Sequence, residues 1–512
     1  MRDDADVTIA QQREWFRAWA CDRADTDDVD LLETHVSIVA FGPDRVWKLK
    51  KAVRFPFVDL STASARAANA ERELALNRRF APDVYLDVVP LVHDGVVVDT
   101  VVEMRRMPAD RRLASVVAGG DAGPCIDQIA DTLARVHRNA ATGGVIDDAG
   151  TAAWLGRQWR ANLDELVPFT PTPIDSGIHA QIGRDVERFL AGRGPLFTAR
   201  IAAGRIRDGH GDLLADDVFC LDDGPRLLDC LEFDDRLRYG DVLADVAFCA
   251  MDLERLGRAD LAARLLDRYR AATGDDWPTS LQHFSVAFRA VIRSKVACLR
   301  IRDGDAKAPQ TAAQLLALAA DHLADGRVRL VVISGPPATG KSTLARRLAG
   351  ATGWPVFHSD EVRKELAGLA ADTSARAGLD AGLYGAEWTA RTYGELFDRA
   401  RGALGRGESA IVDASFASEA HRTAVERLAG QTASVLSRFV CEVPTEVAAD
   451  RARQRARTGH DASDAVGDVV ASLHARFAPW RDATVLDGRE PPDQLARSVR
   501  ELIERDELIP QL

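Results

Sequence analysis

The chain carries Gly335-Pro336-Pro337-Ala338-Thr339-Gly340-Lys341-Ser342 between an apolar run at 330–333 and a helix-forming run from Thr343 to Gly350. A strand, a glycine-rich turn and a helix start form the context of a phosphate-binding P-loop, because backbone N–H groups and the helix dipole then converge on an anion. In such a loop Lys341 reaches the β- and γ-phosphates, and the Ser342 hydroxyl binds Mg²⁺. The stretch therefore predicts a site for ATP or GTP, formed by residues 335–342 and Thr343.

Apolar runs recur through residues 328–512 and alternate with helical patterns. The runs lie at 329–334, 354–358, 409–413, 437–442 and 483–487. Strands that alternate with helices predict a parallel sheet covered by helices on both faces. The sequence therefore predicts an α/β P-loop NTPase domain with a parallel sheet over 328–512.

Charged side chains that follow these runs suit phosphotransfer. Asp360 follows the second run, where a carboxylate can hold and deprotonate an acceptor hydroxyl, and Arg363 can bind an anionic group of that acceptor. Asp413 ends the third run, where it would hold the Mg²⁺ shell; a helix N-cap is the alternative. Arg451 and Arg455 lie four residues apart on a predicted helix and could close over phosphates, although a solvated helix face also explains them.

The first 300 residues show a different pattern. They predict a β-hairpin at 35–50, a helix at 62–80, strands at 84–92 and 96–104, and a mostly helical region at 125–300 that loops and short strands interrupt at 205–235. This order predicts an α+β fold with a sheet-rich first part and a helical second part.

An acidic constellation lies where the helical region is interrupted. His210-Gly211-Asp212 occupies a polar loop, Asp217 follows five residues later, and Asp229 ends an apolar run. Kinase-like phosphotransfer needs this order, since one aspartate accepts the proton of the substrate hydroxyl and two later oxygen ligands bind Mg²⁺. We assign the first role to Asp212 and the metal roles to Asp217 and Asp229. His210 is expected to support the loop by hydrogen bonds.

Lys48 and Glu73 complete the constellation. Lys48 ends the second strand of the hairpin and Glu73 lies in the next helix, which suits the lysine that holds the α- and β-phosphates and its glutamate partner. Lys50 shares the face of Lys48 by strand parity and could take its role. A solvated strand end remains the alternative for the lysines, and an exposed helix charge, with Glu71 nearby, remains the alternative for Glu73.

The motifs of residues 1–310 resemble the aminoglycoside phosphotransferase-like branch of the protein-kinase-like fold. The resemblance rests on VWKLKK at 46–51, GHGDL at 209–213, LDCLEFDD at 228–235 and GDVLADVAF at 240–248. Residues 328–512 are similar to the P-loop kinases related to gluconate kinase and zeta toxin. The whole chain thus resembles the bifunctional proteins in which these two kinds of domain are fused.

The resemblance implies a bilobal kinase-like domain at 1–310, with an N-lobe at about 1–105 and a C-lobe at about 106–310, then a linker helix at 311–327 and the P-loop domain at 328–512. It also implies ATP-dependent phosphotransfer to a hydroxyl of a small molecule such as a sugar, an amino sugar or an aminoglycoside-like compound. Asp241 and Asp245, four residues apart, are expected to buttress the active-site loop.

Asp217 departs from the family pattern, in which asparagine is usual at this position. Aspartate still offers a hard oxygen to Mg²⁺, but it adds a negative charge beside anionic ATP. A nucleotide-binding regulatory protein with one or both sites degenerate is therefore the alternative. Protein phosphorylation is disfavoured, because no Ala-Pro-Glu pattern follows Asp229 and the sheet-rich part has no G-x-G-x-x-G loop.

Composition limits the remaining classes. The 512 residues carry a formal net charge of −12, so general binding to nucleic acid or to an anionic membrane is not expected. The 7 cysteines are scattered without metal-ligand spacing, which predicts free thiols in a reducing cytoplasm and no structural metal. A transmembrane run and a signal peptide are not expected either, because long apolar stretches are missing and the start of the chain is acidic. The oligomeric state stays open.

Overall fold

The computed structural model describes residues 7–55, 58–370, 373, 382–458 and 468–505, with the backbone alone for 455–458, 468 and 505. The chain divides into two compact units, each built from separate stretches of sequence. The N-terminal unit consists of Met1–Leu155, Ala199–Asp276 and Ser285–Leu316, and the P-loop unit consists of Gly156–Thr198, Trp277–Phe284 and Ala317–Leu512. The consecutive domain boundaries read from the sequence stay a prediction.

The strands are β1 Asp30–Glu33, β2 Ser37–Phe41, β3 Arg45–Lys50, β4 Arg54–Phe55, β5 Val58–Asp59, β6 Tyr85–His93, β7 Val96–Arg105, β8 Ile206–Asp208, β9 Val218–Leu221, β10 Gly224–Leu227, β11 Tyr239–Asp241, β12 Arg329–Ser334, β13 Val356–His358, β14 Ala410–Asp413, β15 Val435–Glu442 and β16 Thr484–Asp487.

The helices are α1 Ile9–Ala24, α2 Ala63–Asn77, α3 Leu113–Gly119, α4 Gly123–Asn139, α5 Ala152–Leu166, α6 Ser176–Gly192, α7 Gly194–Ala202, α8 Val242–Arg255, α9 Ala259–Thr273, α10 Thr279–Arg302, α11 Ala308–Asp325, α12 Lys341–Thr352, α13 Ser359–Leu366, α14 Ala386–Gly405, α15 Glu419–Gln431, α16 Thr445–Thr458, α17 Asp468–Arg476 and α18 Pro492–Arg505. Within the residues that the structure describes, none of these helices combines the length and the apolar character that a membrane crossing requires.

An antiparallel sheet in the order β1-β2-β3-β7-β6 forms the sheet-rich part of the N-terminal unit. The predicted hairpin is β2–β3, and the two further predicted strands are β6 and β7. Alternate residues of a strand face opposite sides of the sheet, so Leu49 packs with α1 whereas Val46 packs with α2. Lys48 and Lys50 share the parity of Val46, and the strand therefore directs both lysines toward α2.

A parallel sheet in the order β13-β14-β12-β15-β16 forms the centre of the P-loop unit. Every residue of β12 is buried, because both faces of the sheet are covered. Leu330 and Val332 pack with α14 and α15 on one face, and Val331 and Ile333 pack with α12 and α18 on the other. Each such buried aliphatic side chain stabilises the fold by about 1.5–3 kcal/mol. The predicted α/β fold is confirmed.

The structure corrects the prediction that all cysteines are free thiols. A disulfide joins Cys125 on α4 to Cys220 on β9. The two residues are separated by 95 positions, so their spacing carries no signal of the pairing. The free cysteines are Cys21, Cys230, Cys249, Cys298 and Cys441. Because disulfides are rare in a reducing cytosol, the cytoplasmic location stays a prediction.

Candidate active sites

Lys48 on β3 and Glu73 on α2 form an ion pair in the N-terminal unit. Lys48 Nζ lies 2.8 Å from Glu73 Oε1 and 2.7 Å from Asp229 Oδ1. Helix α2 begins after the N-cap Thr62, whose side chain accepts a hydrogen bond from Ala65 N, and this start places Glu73 on the buried face. Glu73 is therefore not an exposed helix charge, and Lys48 is not a solvated strand end.

The charges of these three residues depend on one another. Burial lowers the pKa of Lys48, but the carboxylates of Asp229 and Glu73 outweigh burial and raise it well above its usual range. The Lys48 charge in turn lowers the pKa of Asp229 to about 2, against the effect of burial. Burial alone would raise the pKa of Glu73, but the two neighbouring lysines lower it. All three groups are therefore ionised at neutral pH.

Lys50 forms an ion pair with the second carboxylate oxygen of Glu73. Its Nζ lies 2.6 Å from Glu73 Oε2, it also pairs with Glu232, and all three side chains are buried. Among the ion pairs of the described residues, it is Lys48 that reaches Asp229. The geometry therefore favours Lys48 over Lys50 as the nucleotide lysine and gives Lys50 the role of holding Glu73.

The His-Gly-Asp loop is held by Asp245 on α8. His210 N and Gly211 N donate to the two carboxylate oxygens of Asp245 at 2.7 and 2.9 Å, and His137 Nε2 bonds to the same carboxylate at 3.0 Å. A Cβ at Gly209 would lie only 2.6 Å from Asp245 Oδ2, so this approach requires glycine. Asp245 is thus a buttress of the loop, as the sequence predicts.

The structure agrees with the prediction for His210 but not with the prediction for Asp241. His210 Nε2 bonds to Leu228 O at 3.0 Å and burial lowers the pKa of its ring, so His210 supports the loop as predicted. Asp241 corrects the prediction of a second buttress. Its carboxylate caps α8 by accepting from Leu243 N at 2.9 Å, and it pairs with Arg200 at 2.7 Å.

Three aspartates concentrate negative charge beside this loop. Burial raises the pKa of Asp212, Arg293 lowers it, and the charge of Asp229 raises it again, with a net rise. Burial and the charges of Asp229 and Asp212 raise the pKa of Asp217 well above its usual range. Asp229 has a φ of 66°, a left-handed conformation that is costly outside glycine and often found at functional sites. The positive charge of Arg293 therefore offsets the negative charge of these aspartates only in part.

The donor set fits Mg²⁺, which prefers hard oxygen ligands. A cation held by Asp217 and Asp229 would relieve the repulsion that raises the pKa of Asp217. In the part of the chain that the structure describes, no group of three or more His, Cys, Asp or Glu side chains could hold a metal alone.

The N-terminal unit thus joins an antiparallel sheet with a paired lysine and glutamate to a buttressed His-Gly-Asp loop and to an aspartate that follows the hairpin β9–β10. This is the protein-kinase-like α+β arrangement that the sequence predicts.

The P-loop leaves the buried end of β12 and enters α12. Gly335 has a φ of 141°, and a Cβ there would lie 2.5 Å from Cys441 O. Gly340 has a φ of 98° at the N-cap of α12, and Ala338 has a φ of 67°. Thr339 Oγ1 donates to Pro336 O at 3.0 Å and braces the turn. The loop therefore leads its backbone into a helix N-terminus, which is the geometry of an anion site.

Asp413 ends β14 beside the central strand, in register with His358 on β13. His358 Nδ1 bonds to Asp413 Oδ2 at 2.7 Å. Burial raises the pKa of Asp413, but His358, Lys341 and Ser342 together lower it below its usual value. The alternative of a helix N-cap is wrong, because Ser418 precedes the next helix, α15. Asp413 and Ser342 thus present two hard oxygens next to Lys341.

Asp360 and Arg363 both lie on α13. Asp360 is half-buried in the first turn, where the helix dipole favours negative charge. Arg363 is buried, its Nη1 donates to Leu383 O at 2.6 Å, and its guanidinium lies 4.8 Å from the ring centroid of Tyr384. Arg363 therefore anchors the segment before α14, and its binding to an anionic group of an acceptor stays a prediction.

Arg451 on α16 lies beside the P-loop. Its Nη2 donates to Gly488 O at 2.9 Å, and its Nη1 lies 3.8 Å from where a Cβ of Gly340 would be. A guanidinium next to this loop is placed to neutralise phosphate charge. The Arg455 side chain lies outside the described residues, so its part in such a lid stays a prediction.

Three residues near these sites were missed by the sequence analysis. Glu232 stands three positions after Asp229, and His358 ends a predicted strand next to Asp360, so both had a positional signal. Arg293 on α10 had none. Its Nη1 lies 3.4 Å from Asp212 Oδ2, although 81 positions separate the two residues.

Two mycobacterial proteins match this chain over most of its length. "Uncharacterized protein Rv2004c" of Mycobacterium tuberculosis and "Uncharacterized protein Mb2027c" of Mycobacterium bovis are each 40% identical over 468 residues, which cover 91% of this chain and 93% of the relative. This chain belongs to their family. Because the match covers 91% of the chain, it includes residues of both units.

The other matches each cover only part of this chain. Residues 330–480 match a family model described as an AAA domain (AAA_33), in agreement with a P-loop nucleotide-binding domain. Solved structures with some likeness are a choline/ethanolamine kinase family protein from Mesorhizobium loti (14% identity, 58% of this chain, 92% of that chain, TM-score 0.37), a sugar kinase from Janibacter sp. HTCC2649 (22%, 35%, 95%, 0.27) and a gluconokinase from Sinorhizobium meliloti (19%, 35%, 94%, 0.25). None of these names is that of the bifunctional family, which stays a prediction.

Proposed function

We propose that this protein is an ATP-dependent phosphotransferase that transfers the γ-phosphoryl group of ATP to a hydroxyl of a small molecule. The observation that carries the proposal is the ion-paired chain Lys48–Glu73 and Lys48–Asp229 beside the buttressed loop of Asp212. A sugar, an amino sugar or an aminoglycoside-like compound is the proposed acceptor, and the cytoplasm is the proposed location. We propose neither a nucleic-acid partner nor a membrane partner.

In the N-terminal unit, each residue has a role that its position supports. Lys48, oriented by Glu73, binds the α- and β-phosphates, and Asp212 accepts the proton of the acceptor hydroxyl. Asp217 and Asp229 would hold Mg²⁺, which neutralises phosphate charge when bound.

In the P-loop unit, the backbone of residues 335–343 and Lys341 bind the phosphates of a second nucleotide. Ser342 and Asp413 would hold Mg²⁺, and Asp360 would hold an acceptor hydroxyl. Arg451, with Arg455 from the same helix, supplies positive charge over the phosphates. The two units could act on one acceptor or on different ones.

A nucleotide-binding regulatory protein is the second candidate. The observation that favours it is the extra carboxylate of Asp217, which lies close enough to Asp229 and Asp212 to feel their charges and opposes the binding of anionic ATP. In that case one or both sites would bind nucleotide without useful transfer.

ADP release against a panel of sugars, amino sugars, polyols and aminoglycosides tests the proposal. The variants are Asp212→Asn, Lys341→Ala and both together. We expect an acceptor that raises ADP release and a fall of about 10²–10⁴-fold in Asp212→Asn, the usual contribution of a general base.

Asp216→Asn is the matched control, because Asp216 is exposed and adjacent to Asp217. An acceptor whose turnover falls only in Lys341→Ala belongs to the P-loop unit. If every acceptor leaves ADP release at the rate with water alone, the regulatory function is supported and the phosphotransferase proposal fails.

A further inference from the structure

Arg293 reaches the catalytic loop of the N-terminal unit from α10. Its Nη1 lies 3.4 Å from Asp212 Oδ2, and the two side chains are 18% and 29% exposed. The contact is therefore partly open to solvent. Within the described residues, Arg293 is the cation that forms an ion pair with Asp212.

Groups of both charges surround Asp212. Burial and the carboxylates of Asp229 and Asp252 oppose its ionisation, while Arg293 and, more weakly, Arg289 favour it. Lys48 is already engaged by Glu73 and Asp229. Arg289 is buried and donates its Nε to Ala244 O at 2.9 Å, so it is fixed elsewhere.

The two oxygens of Asp212 differ in environment. Oδ1 is buried and accepts no hydrogen bond from the residues that the structure describes, whereas Oδ2 faces Arg293. The positive charge of Arg293 attracts this one oxygen, which favours one orientation of the Asp212 carboxylate. Asp245 holds the loop backbone, whereas Arg293 is the cation beside the Asp212 side chain.

We propose that Arg293 is a positioning residue of the phosphotransfer site, which orients the Asp212 carboxylate toward the acceptor hydroxyl. The inference rests on the proposed function of the N-terminal unit. In the reaction, the acceptor oxygen bonds to the γ-phosphorus as the bond from that phosphorus to the β,γ-bridging oxygen breaks. ADP leaves with the electron pair of that bond, and the hydroxyl proton passes to Asp212. Arg293 acts on the carboxylate and contacts neither phosphate nor acceptor.

Hydrolysis of Mg²⁺·ATP, with water as the acceptor, tests the inference in the full chain. All variants carry Lys341→Ala to silence the P-loop unit. We expect Arg293→Met to lower kcat by about 10²-fold, the effect of a misplaced reacting group, and to leave KM for ATP unchanged, because Lys48 holds the phosphates. Arg293→Lys should recover part of the loss, since lysine keeps the positive charge but lacks the planar guanidinium group.

Combination with Asp212→Asn separates positioning from a structural role. If Arg293 acts through Asp212, Arg293→Met has no further effect on kcat once Asp212→Asn is present. An equal fold-loss in both backgrounds would instead indicate general damage and overturns the inference. Arg300→Met is the control, because Arg300 is exposed on the same helix, and it should leave kcat unchanged.

The failures of the two claims are distinguishable. If Asp212→Asn hydrolyses ATP as fast as its parent, the proposed function of this unit fails and the inference falls with it. If the parent releases no ADP above buffer, the acceptor found with the panel replaces water and the same variants are compared. If Asp212→Asn is inactive while Arg293→Met equals the parent, only the inference fails. Should Arg293→Met not fold, the kcat loss in Arg293→Lys decides in its place.

Discussion

Single carboxylates set the electrostatics of the N-terminal site. Burial, and then the charges of Asp229 and Asp212, raise the pKa of Asp217 well above its usual value. A raised carboxyl pKa means that folding favours the protonated form. The stabilising contribution of Asp217 is therefore fully present below the unfolded-state pKa of about 4 and is lost as the pH rises through the folded-state pKa.

The variant Asp217→Asn tests this electrostatic account. We expect the nucleotide-free variant to gain about 1 kcal/mol or more in free energy of unfolding at pH 8, where one pKa unit corresponds to about 1.4 kcal/mol. The gain should shrink as the pH falls toward 4. Urea denaturation at both pH values measures it, with Asp267→Asn, exposed on α9, as the control. A loss of stability at pH 8 contradicts the account.

Lys48 and Lys50 differ in what their removal leaves behind. Lys50→Met leaves Glu232 and one oxygen of Glu73 buried without a cation, so it should cost about 3–5 kcal/mol of unfolding free energy. Lys48 is 13% exposed, so Lys48→Met should affect nucleotide affinity more than stability. Urea denaturation and Mg²⁺·ADP titration of both variants check this.

A variant that removes the charge of Glu232 together with that of Lys50 is the control for Lys50→Met. Lys50→Met combined with Glu232→Gln should recover part of the lost stability, because one of the two unpaired carboxylates is then uncharged. If the combined variant is as unstable as Lys50→Met alone, the loss comes from packing and not from charge.

Sequence reasoning reached part of the residue-scale picture. Strand parity predicted that Lys48 and Lys50 share a face, and the order of the motifs predicted that Asp212, Asp217 and Asp229 belong to one site. It did not predict the partner of Lys50 or of Asp212, because a side-chain contact across 182 or 81 positions leaves no local pattern.

At the scale of elements, the P-loop depends on the backbone of its glycines. Gly335 combines a φ of 141° with an approach of 2.5 Å between a hypothetical Cβ and Cys441 O, so any side chain would strain the turn or displace β15. We expect Gly335→Ala to reduce the number of Mg²⁺·ADP molecules bound per chain by one. Isothermal titration of wild type and variant measures the stoichiometry.

Gly350 on α12 is the matched glycine for that experiment. A Cβ there meets nothing within 4 Å, so Gly350→Ala should keep the stoichiometry and stabilise the helix by about 0.5–1 kcal/mol. If Gly335→Ala binds nucleotide as Gly350→Ala does, the loop does not need its glycine for nucleotide binding.

Elements were the most predictable level of this chain. The five apolar runs predicted as strands of the P-loop unit all became strands, because a parallel sheet buried on both faces needs continuous apolar stretches. Their pairing was less predictable. The register of β13 on β14 brings His358 to Asp413, and the sequence of either strand alone does not contain that register.

At the scale of the whole molecule, Arg193 ties the stretch before α7 into the P-loop unit. Its buried guanidinium bonds to Leu404 O and, at 2.7 Å, to Thr432 O, near the C-terminal ends of α14 and α15. Burial lowers the pKa of Arg193 to about 10, so its guanidinium is still positively charged at neutral pH. The C-terminal ends of two helices stabilise this positive charge. Residues 156–198 are thus part of the P-loop unit, although they stand more than 130 positions before its first strand.

Arg193→Met should therefore destabilise the P-loop unit by about 1–3 kcal/mol per carbonyl left unpaired. A fragment of residues 328–512 should unfold at a lower denaturant concentration than this unit does in the full chain, because it lacks α6 and Arg193. Urea denaturation followed by circular dichroism measures both. Arg184→Met, exposed on α6, is the control, and equal stability of the two variants contradicts the role of Arg193.

The sequence by itself determined the local features of this protein: the P-loop, the order of the acidic motifs, the strand pattern and the strand parity of the two lysines. These follow from backbone conformation and side-chain periodicity, which act over a few residues. Only the tertiary structure decided which charges meet, as in Lys50 with Glu232, Arg293 with Asp212 and Arg193 with two helix ends. Such contacts depend on long-range packing, and that is why the sequence motifs could indicate the two sites but not the distant side chains that hold the structure around them.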